Sequence, residues 1–226
     1  MGISTGGHSM HHYIEDKEFL MNLHSVCSNI INQLVQQINN DGELSVEAQL
    51  VGSGKRNMIT QNANGPVDLD YNLRIIDTYG MDINDGRYLK EYIRKHFNIV
   101  LNRNGWGDCG DSTSALTTEK RRFQKGSKTE FSIDLAIVQK QGDSWFRLIH
   151  RKTGFVHLDQ WYWNEAPHSN GLSKRVNTLK RNNLWLEVHE VYLRKKNAYL
   201  CNQDPHHPSF IAYIEAVNEV YYKYFH

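Results

Sequence analysis

Leu50-Val51-Gly52-Ser53, followed across a polar loop by Val67-Asp68-Leu69-Asp70 and much later by Ser132-Ile133-Asp134-Leu135, is the reading that decides the fold of this chain. Side chains of a strand alternate between its faces, so Asp68 and Asp70 point one way while Val67, Leu69 and Tyr71 point the other. Two carboxylates on one face repel each other unless a cation sits between them. A third, Asp134, brought alongside by a neighbouring strand, completes an all-oxygen set suited to Mg²⁺, which takes few carboxylates and keeps room for phosphate oxygens. The plainer reading makes Asp68 and Asp70 solvent-facing residues of an edge strand. The Gly-Ser turn ahead of them and Asp134 after them favour the metal site.

Working outward, Glu15 to Asn39 repeats apolar residues at three- and four-residue spacing and predicts a helix, stopped by Asn39-Asn40-Asp41-Gly42. Leu44 to Val51 reads as a first strand, Gly52 to Pro66 as a polar loop, and Val67 to Ile76 as a second strand. Asp85 to Asn102 reads as a helix, and Asn104 to Ser114 as a glycine-rich loop. Phe131 to Gln139 is a third strand, with Asp134 opposite Phe131, Ile133, Leu135 and Ile137. Ser144 to Leu158 predicts a hairpin turning at Lys152-Thr153-Gly154. Beyond Gln160 the pattern becomes helical, over Ser173 to Lys196 and Pro208 to Phe225, with breaks at Asp204-Pro205 and His207-Pro208.

The bulk numbers fit such a chain. At 226 residues, 39% apolar and 23% charged, it can bury a substantial core without staples. Cys27, Cys109 and Cys201 are odd in number and far apart, which argues against a disulfide framework and for a reducing cytoplasm. No apolar run is long enough to span a membrane, and the Gly-, Ser- and His-rich leader Met1 to His12 reads as a flexible tail. The net charge of +1 conceals an asymmetry. Residues 1–119 hold 9 Lys and Arg against 15 Asp and Glu, whereas residues 120–197 hold 16 against 7. A basic second half beside an acidic first half suits a polyanion held over a carboxylate site; a solvated surface with uneven charge explains it equally well.

The motif order resembles the DNA polymerase β-like nucleotidyltransferase superfamily, whose signature is a hydrophobic residue, Gly, then Gly or Ser, followed by Asp-hydrophobic-Asp and a third Asp on a later strand. Here these are Val51-Gly52-Ser53, Asp68-Leu69-Asp70 and Ile133-Asp134-Leu135, and the resemblance covers residues 45 to 138. It implies an α+β fold: a nucleotidyltransferase-like mixed sheet with flanking helices over residues 13–158, then a smaller C-terminal helical lobe over 159–226, packed as one unit around a cleft.

The resemblance also implies roles. Asp68 and Asp70 would bridge two Mg²⁺ ions roughly 3.5–4 Å apart. Asp134 would complete the second ion and take the proton of the attacking hydroxyl. Gly52 and Ser53 would admit phosphate oxygens to backbone amides and one hydroxyl. Lys55 and Arg56 would neutralise the outer phosphates, and Lys174, on the later helix, would reach the triphosphate. The function implied is transfer of NMP from an NTP to an acceptor hydroxyl, on a second nucleotide, an RNA or a small molecule, with release of pyrophosphate. A non-catalytic nucleotide- or RNA-binding module on the same scaffold is the alternative.

Four departures or temptations bear on this. The run Lys55-Arg56-Asn57-Met58-Ile59-Thr60 lacks the further Gly and Thr residues common in the superfamily. A P-loop reading of Gly52-Ser53-Gly54-Lys55 fails, because the register needs Gly at 49 and Ser or Thr at 56, where Gln49 and Arg56 stand. The adjacent pairs His11-His12 and His206-His207 lack the spacing of a zinc site. Trp161, Tyr162 and Trp163 offer surfaces for base stacking, although such clusters are more often core.

Overall fold

The computed structural model describes residues 10–124, 127–167, 171–202, 204 and 208–225. Most of the leader (residues 1–9), the His206-His207 pair and the Pro205 break lie outside them. In chain order the elements are β1 (His11–Tyr13), α1 (Lys17–Asp41), β2 (Leu44–Leu50), α2 (Gly52–Arg56), β3 (Thr60–Asn62), β4 (Val67–Thr78) and α3 (Gly86–Arg103). They continue with β5 (Gly110–Asp111), β6 (Leu116–Thr117), β7 (Phe131–Gln141), β8 (Ser144–Arg151), β9 (Gln160–Glu165), α4 (Leu172–Arg181), α5 (Trp185–Cys201) and α6 (Ser209–Tyr224). This is a mixed α+β fold, as expected. No helix among the described residues is long and apolar enough to cross a membrane.

The chain forms two compact units, and the division is not a single cut in the sequence. The sheet unit comprises residues 16–55 and 66–167; the helical unit comprises residues 1–15, 56–65 and 168–226.

In the sheet unit, strands run in the order β2-β4-β7-β6-β5, with β8 also pairing β7 and β9 pairing β8. The central pair, β4 and β7, is parallel, and the other pairs are antiparallel. Strand β7 is buried on both faces over much of its length, Ala136 and Val138 as well as Ile133, Leu135 and Ile137, as a central parallel strand should be. Helix α1 starts where the Asp16 carboxylate accepts from the amide of Phe19 at 2.9 Å, and ends at Gly42 in the left-handed region. Its face of Leu23, Cys27, Ile30, Ile31, Leu34 and Ile38 is buried. Asp85 caps α3 in the same way, accepting from Tyr88 at 2.9 Å, and Leu89, Ile93, Phe97 and Leu101 are fully buried.

Several elements differ from the sequence reading: the expected polar loop 52–66 carries α2 and β3, the tail runs into β1, and the stretch after Gln160 opens with strand β9. The hairpin partner of β8 is β9, not residues 155–158. Asp159 Oδ1 accepts from the amide of Thr153 at 2.8 Å and from its hydroxyl at 3.0 Å, which widens the turn to include a single 3-10 turn at Val156–Leu158. The continuous helix expected over 173–196 is two helices. Asn183 adopts φ +59, a left-handed conformation that Asn tolerates, and the amide of Leu184 returns to the carbonyl of Leu179 at 3.0 Å, ending α4 before α5 begins.

In the helical unit, α4, α5 and α6 enclose a core that includes Leu179, Val188, Tyr192, Ala216 and Val217, and Met58 is buried in it. Strands β1 and β3 pair as a small separate sheet. Asn197 clasps β1 through both its amide groups, accepting from His11 N at 2.6 Å and donating to His11 O at 3.1 Å.

Candidate active site

The register of the central strands sets the geometry. In the parallel β4–β7 pair, Asp70 stands opposite Asp134 and Asp68 opposite Ser132. Directly paired residues project to the same side of a sheet, so the three aspartates share one face within neighbouring rungs. Each is flanked by apolar residues facing the other way: Val67, Leu69, Tyr71, Ile133 and Leu135 are all buried. The alternation that places carboxylates on one face therefore also anchors their strands.

Gly52 closes on this row from the short helix α2. Its φ is +62, and a Cβ there would lie 2.2 Å from Asp70 Oδ2. Both the backbone conformation and the space reserve the position for glycine. Gly54 fills a second tight place, where a Cβ would lie 2.7 Å from Leu69 Cδ2 and seat α2 badly on the strand beneath. The amide of Val51 donates to Asp70 O at 2.9 Å, tying the turn to β4. Gly52→Ala is expected to destabilise the fold by about 1–3 kcal/mol, as overpacking does. Thermal unfolding checks this, and a variant melting together with the wild type would show that Asp70 yields freely.

Two hydroxyls hold two of the carboxylates. Thr117 Oγ1 donates to Asp134 Oδ1 at 2.5 Å, and Ser132 Oγ donates to Asp68 Oδ1. Burial raises the Asp134 carboxyl above its usual range; the Thr117 hydrogen bond opposes this and the negative charge of Asp68 adds to it. That electrostatic coupling is what a cation between the carboxylates would relieve. The donor set fits Mg²⁺: oxygen only, anionic, partly open, and with one carboxylate lodged against a glycine. Among the described residues, however, no three His, Cys, Asp or Glu side chains are gathered into a formed metal cage. The aspartates make an open row.

The remaining expected site residues divide between the units. Ser53 is half-buried and Lys55 exposed in the sheet unit, on α2 beside Gly52. Arg56 belongs to the helical unit, where its guanidinium lies 4.0 Å from the ring centre of Tyr213 and 5.4 Å from that of Phe210. Lys174 is an exposed residue of α4 in the same unit. Of the aromatic trio on β9, Trp161 stacks on His150 at 4.2 Å and Trp163 donates its indole N–H to Ile83 O at 3.1 Å, while Tyr162 is exposed. The Cys109 thiol is buried and its pKa pushed up to about 12, the behaviour of an inert side chain.

Sequence reasoning missed a buried polar network next to the site. Lys90, 2% exposed, places its ammonium 2.5 Å from Asp111 Oδ1 and donates to Ser112 O at 2.7 Å. Asp111 Oδ2 lies 2.6 Å from His150 Nδ1, and His150 Nε2 lies 3.0 Å from Asp159 Oδ2. The pattern was hidden because its members are spread over α3, β5, β8 and a turn. Ser132, by contrast, had a visible signal, standing two residues before Asp134 and so on the same face.

No family model matches the sequence, and no curated protein matches it. Solved structures do. CdnC of Escherichia coli MS115-1 with ATP is similar over 94% of this chain and 63% of its own, with a TM-score of 0.58 and 15% identity. The complex of the same CdnC with HORMA-deltaN matches over 90% of this chain and 60% of that one, with a TM-score of 0.56 and 15% identity. Vibrio cholerae DncV in its 3'-deoxy ATP bound form matches over 78% and 45%, with a TM-score of 0.50 and 13% identity. The chain thus spans less than two thirds of the length of these neighbours, which belong to the polymerase β-like nucleotidyltransferase superfamily. At such identities the likeness is one of fold alone: a mixed sheet with flanking helices that matches nucleotidyltransferase structures.

Proposed function

We propose that this protein is a metal-dependent nucleotidyltransferase that moves NMP from an NTP to an acceptor hydroxyl. The observation carrying this is the rung that pairs Asp70 with Asp134 across β4 and β7, with Asp68 on the same face and Gly52 against Asp70. Asp68, Asp70 and Asp134 are the residues that would hold magnesium, and bound Mg²⁺ supplies charge stabilisation for the phosphates and acidifies the acceptor oxygen.

The chain's own residues do the rest. The acceptor oxygen attacks the α-phosphorus in line, the bond to the bridging oxygen breaks, and pyrophosphate leaves. Asp134 would take the hydroxyl proton. Gly52, Ser53 and Lys55, on α2 of the sheet unit, would receive the triphosphate. The neighbours solved with ATP and 3'-deoxy ATP support a nucleoside triphosphate as donor. The basic stretch over 120–197 favours a phosphate-bearing acceptor, a second nucleotide or an RNA, over a cationic small molecule.

The test is incubation with each α-³²P NTP and Mg²⁺, with and without bulk RNA, followed by separation of products. Label in a new oligonucleotide or in RNA is expected. If no label moves and no pyrophosphate forms in the presence of these acceptors and a metabolite extract, a binding module replaces the enzyme.

A further inference from the structure

A carboxylate on an open strand face rotates about its last bond, and three of them on neighbouring rungs repel one another. Something must fix their orientation before a cation or substrate arrives. Two hydroxyls are placed to do so. Thr117 sits directly opposite Asp134 in the antiparallel β6–β7 pair and donates to its Oδ1 at 2.5 Å. Ser132, 2% exposed, sits directly opposite Asp68 and donates to its Oδ1. Each hydroxyl engages one oxygen of the pair on its carboxylate.

Thr117 is held more firmly than its two-residue strand suggests. Such a short strand is marginal by itself. Next to it, Thr118 exchanges two bonds with Ile133, its amide donating to Ile133 O at 3.0 Å and its hydroxyl accepting from Ile133 N at 2.9 Å. The turn joining β5 to β6 is tied down where it leaves β5, with Lys90 donating to Ser112 O and His150 N donating to Thr113 O at 2.8 Å. The hydroxyl therefore stands in a frame set by α3, β7 and β8.

We propose that Thr117 and Ser132 are positioning residues that orient Asp134 and Asp68 for the divalent cation. This rests on the reading of the aspartates as metal ligands. Residues that hydrogen-bond a metal-binding carboxylate typically change metal affinity by roughly 10–100-fold when removed.

The test uses the full chain, with Mn²⁺ as the probe and electron paramagnetic resonance counting bound against free ion. Thr117→Val keeps the shape and deletes the hydroxyl; Thr117→Ser restores it; Ser132→Ala gives a second variant on the other carboxylate. Melting curves report whether each remains folded. Thr117→Val and Ser132→Ala are expected to weaken Mn²⁺ binding by about tenfold or more, with Thr117→Ser close to the wild type. A hydroxyl that only satisfied a buried acceptor would shift the melting temperature and leave the Mn²⁺ signal alone. Wild-type affinity in folded Thr117→Val and Ser132→Ala would overturn this proposal while leaving the metal site intact. A wild type that binds no Mn²⁺, or an Asp70→Asn variant that binds it equally well, would overturn both.

Discussion

Asp70→Asn is expected to abolish nucleotidyl transfer while leaving the protein folded. The substituted amide keeps the size of the side chain, so Gly52 still fits against it and the β4–β7 pairing is untouched. It removes a charge from a row of repelling carboxylates, so the melting temperature should hold or rise slightly. What is lost is the carboxylate proposed to hold the metal, the one residue both paired with Asp134 and lodged against the Gly-Ser turn. Metal-centred stabilisation is worth several kcal/mol, so turnover should fall by about a thousandfold or more. The labelled-NTP assay and a melting curve on the same preparation check both halves. Retention of substantial transfer would remove Asp70 from the chemistry.

The largest effect on stability should come from Asp111→Asn. Lys90 is almost wholly buried, and burial lowers its pKa despite the carboxylate beside it. Burial pushes the Asp111 carboxyl up, but Lys90 and His150 outweigh it, and the net direction is down. Such a pair adds little beyond what a well-packed apolar pair would give, yet breaking it strands a buried ammonium at a cost of about 3–5 kcal/mol. The sign of the pH dependence follows. A carboxyl depressed in the folded state contributes stability that is present above its unfolded pKa and lost as pH falls through the folded value. The gap between Asp111→Asn and wild type should therefore be widest near neutrality and close in acid. Denaturant melts across that range measure it, and a gap that stayed constant or widened in acid would show that the Asp111 charge is not what stabilises the buried Lys90.

What could be read in advance was what local chemistry dictates. The period-two alternation around Asp68, Asp70 and Asp134 announced strands with a shared carboxylate face, and the three- and four-residue spacing announced α1 and α3. The register bringing Asp70 opposite Asp134 was not legible, because parallel pairing between segments more than sixty residues apart leaves no local mark. Thr117 was invisible for a related reason, since a strand of two residues has no periodicity. The misread hairpin shows side-chain chemistry overruling composition: Phe155-Val156-His157-Leu158 looks like a strand, but Asp159 binding Thr153 turns it into an exposed bend. The Arg181-Asn182-Asn183 run was a readable helix break that the surrounding apolar spacing masked.

The interleaving of the two units has a consequence for how this protein can be cut or recombined. A stop after residue 167 would delete α4, α5 and α6 but leave residues 10–15 and 56–65 behind, stripping the cover from Met58 and removing the Asn197 clasp from β1. Those orphaned segments, which form the β1–β3 strand pair, would present bare strand edges that invite aggregation. Grafting another helical unit onto this sheet therefore requires exchanging three pieces of chain together, one of them beginning at Arg56, immediately after the α2 residues that lie beside the carboxylates. Lineages that vary their helices by gene fusion alone would not find this arrangement easy to dissect, and its parts are expected to be inherited as a set.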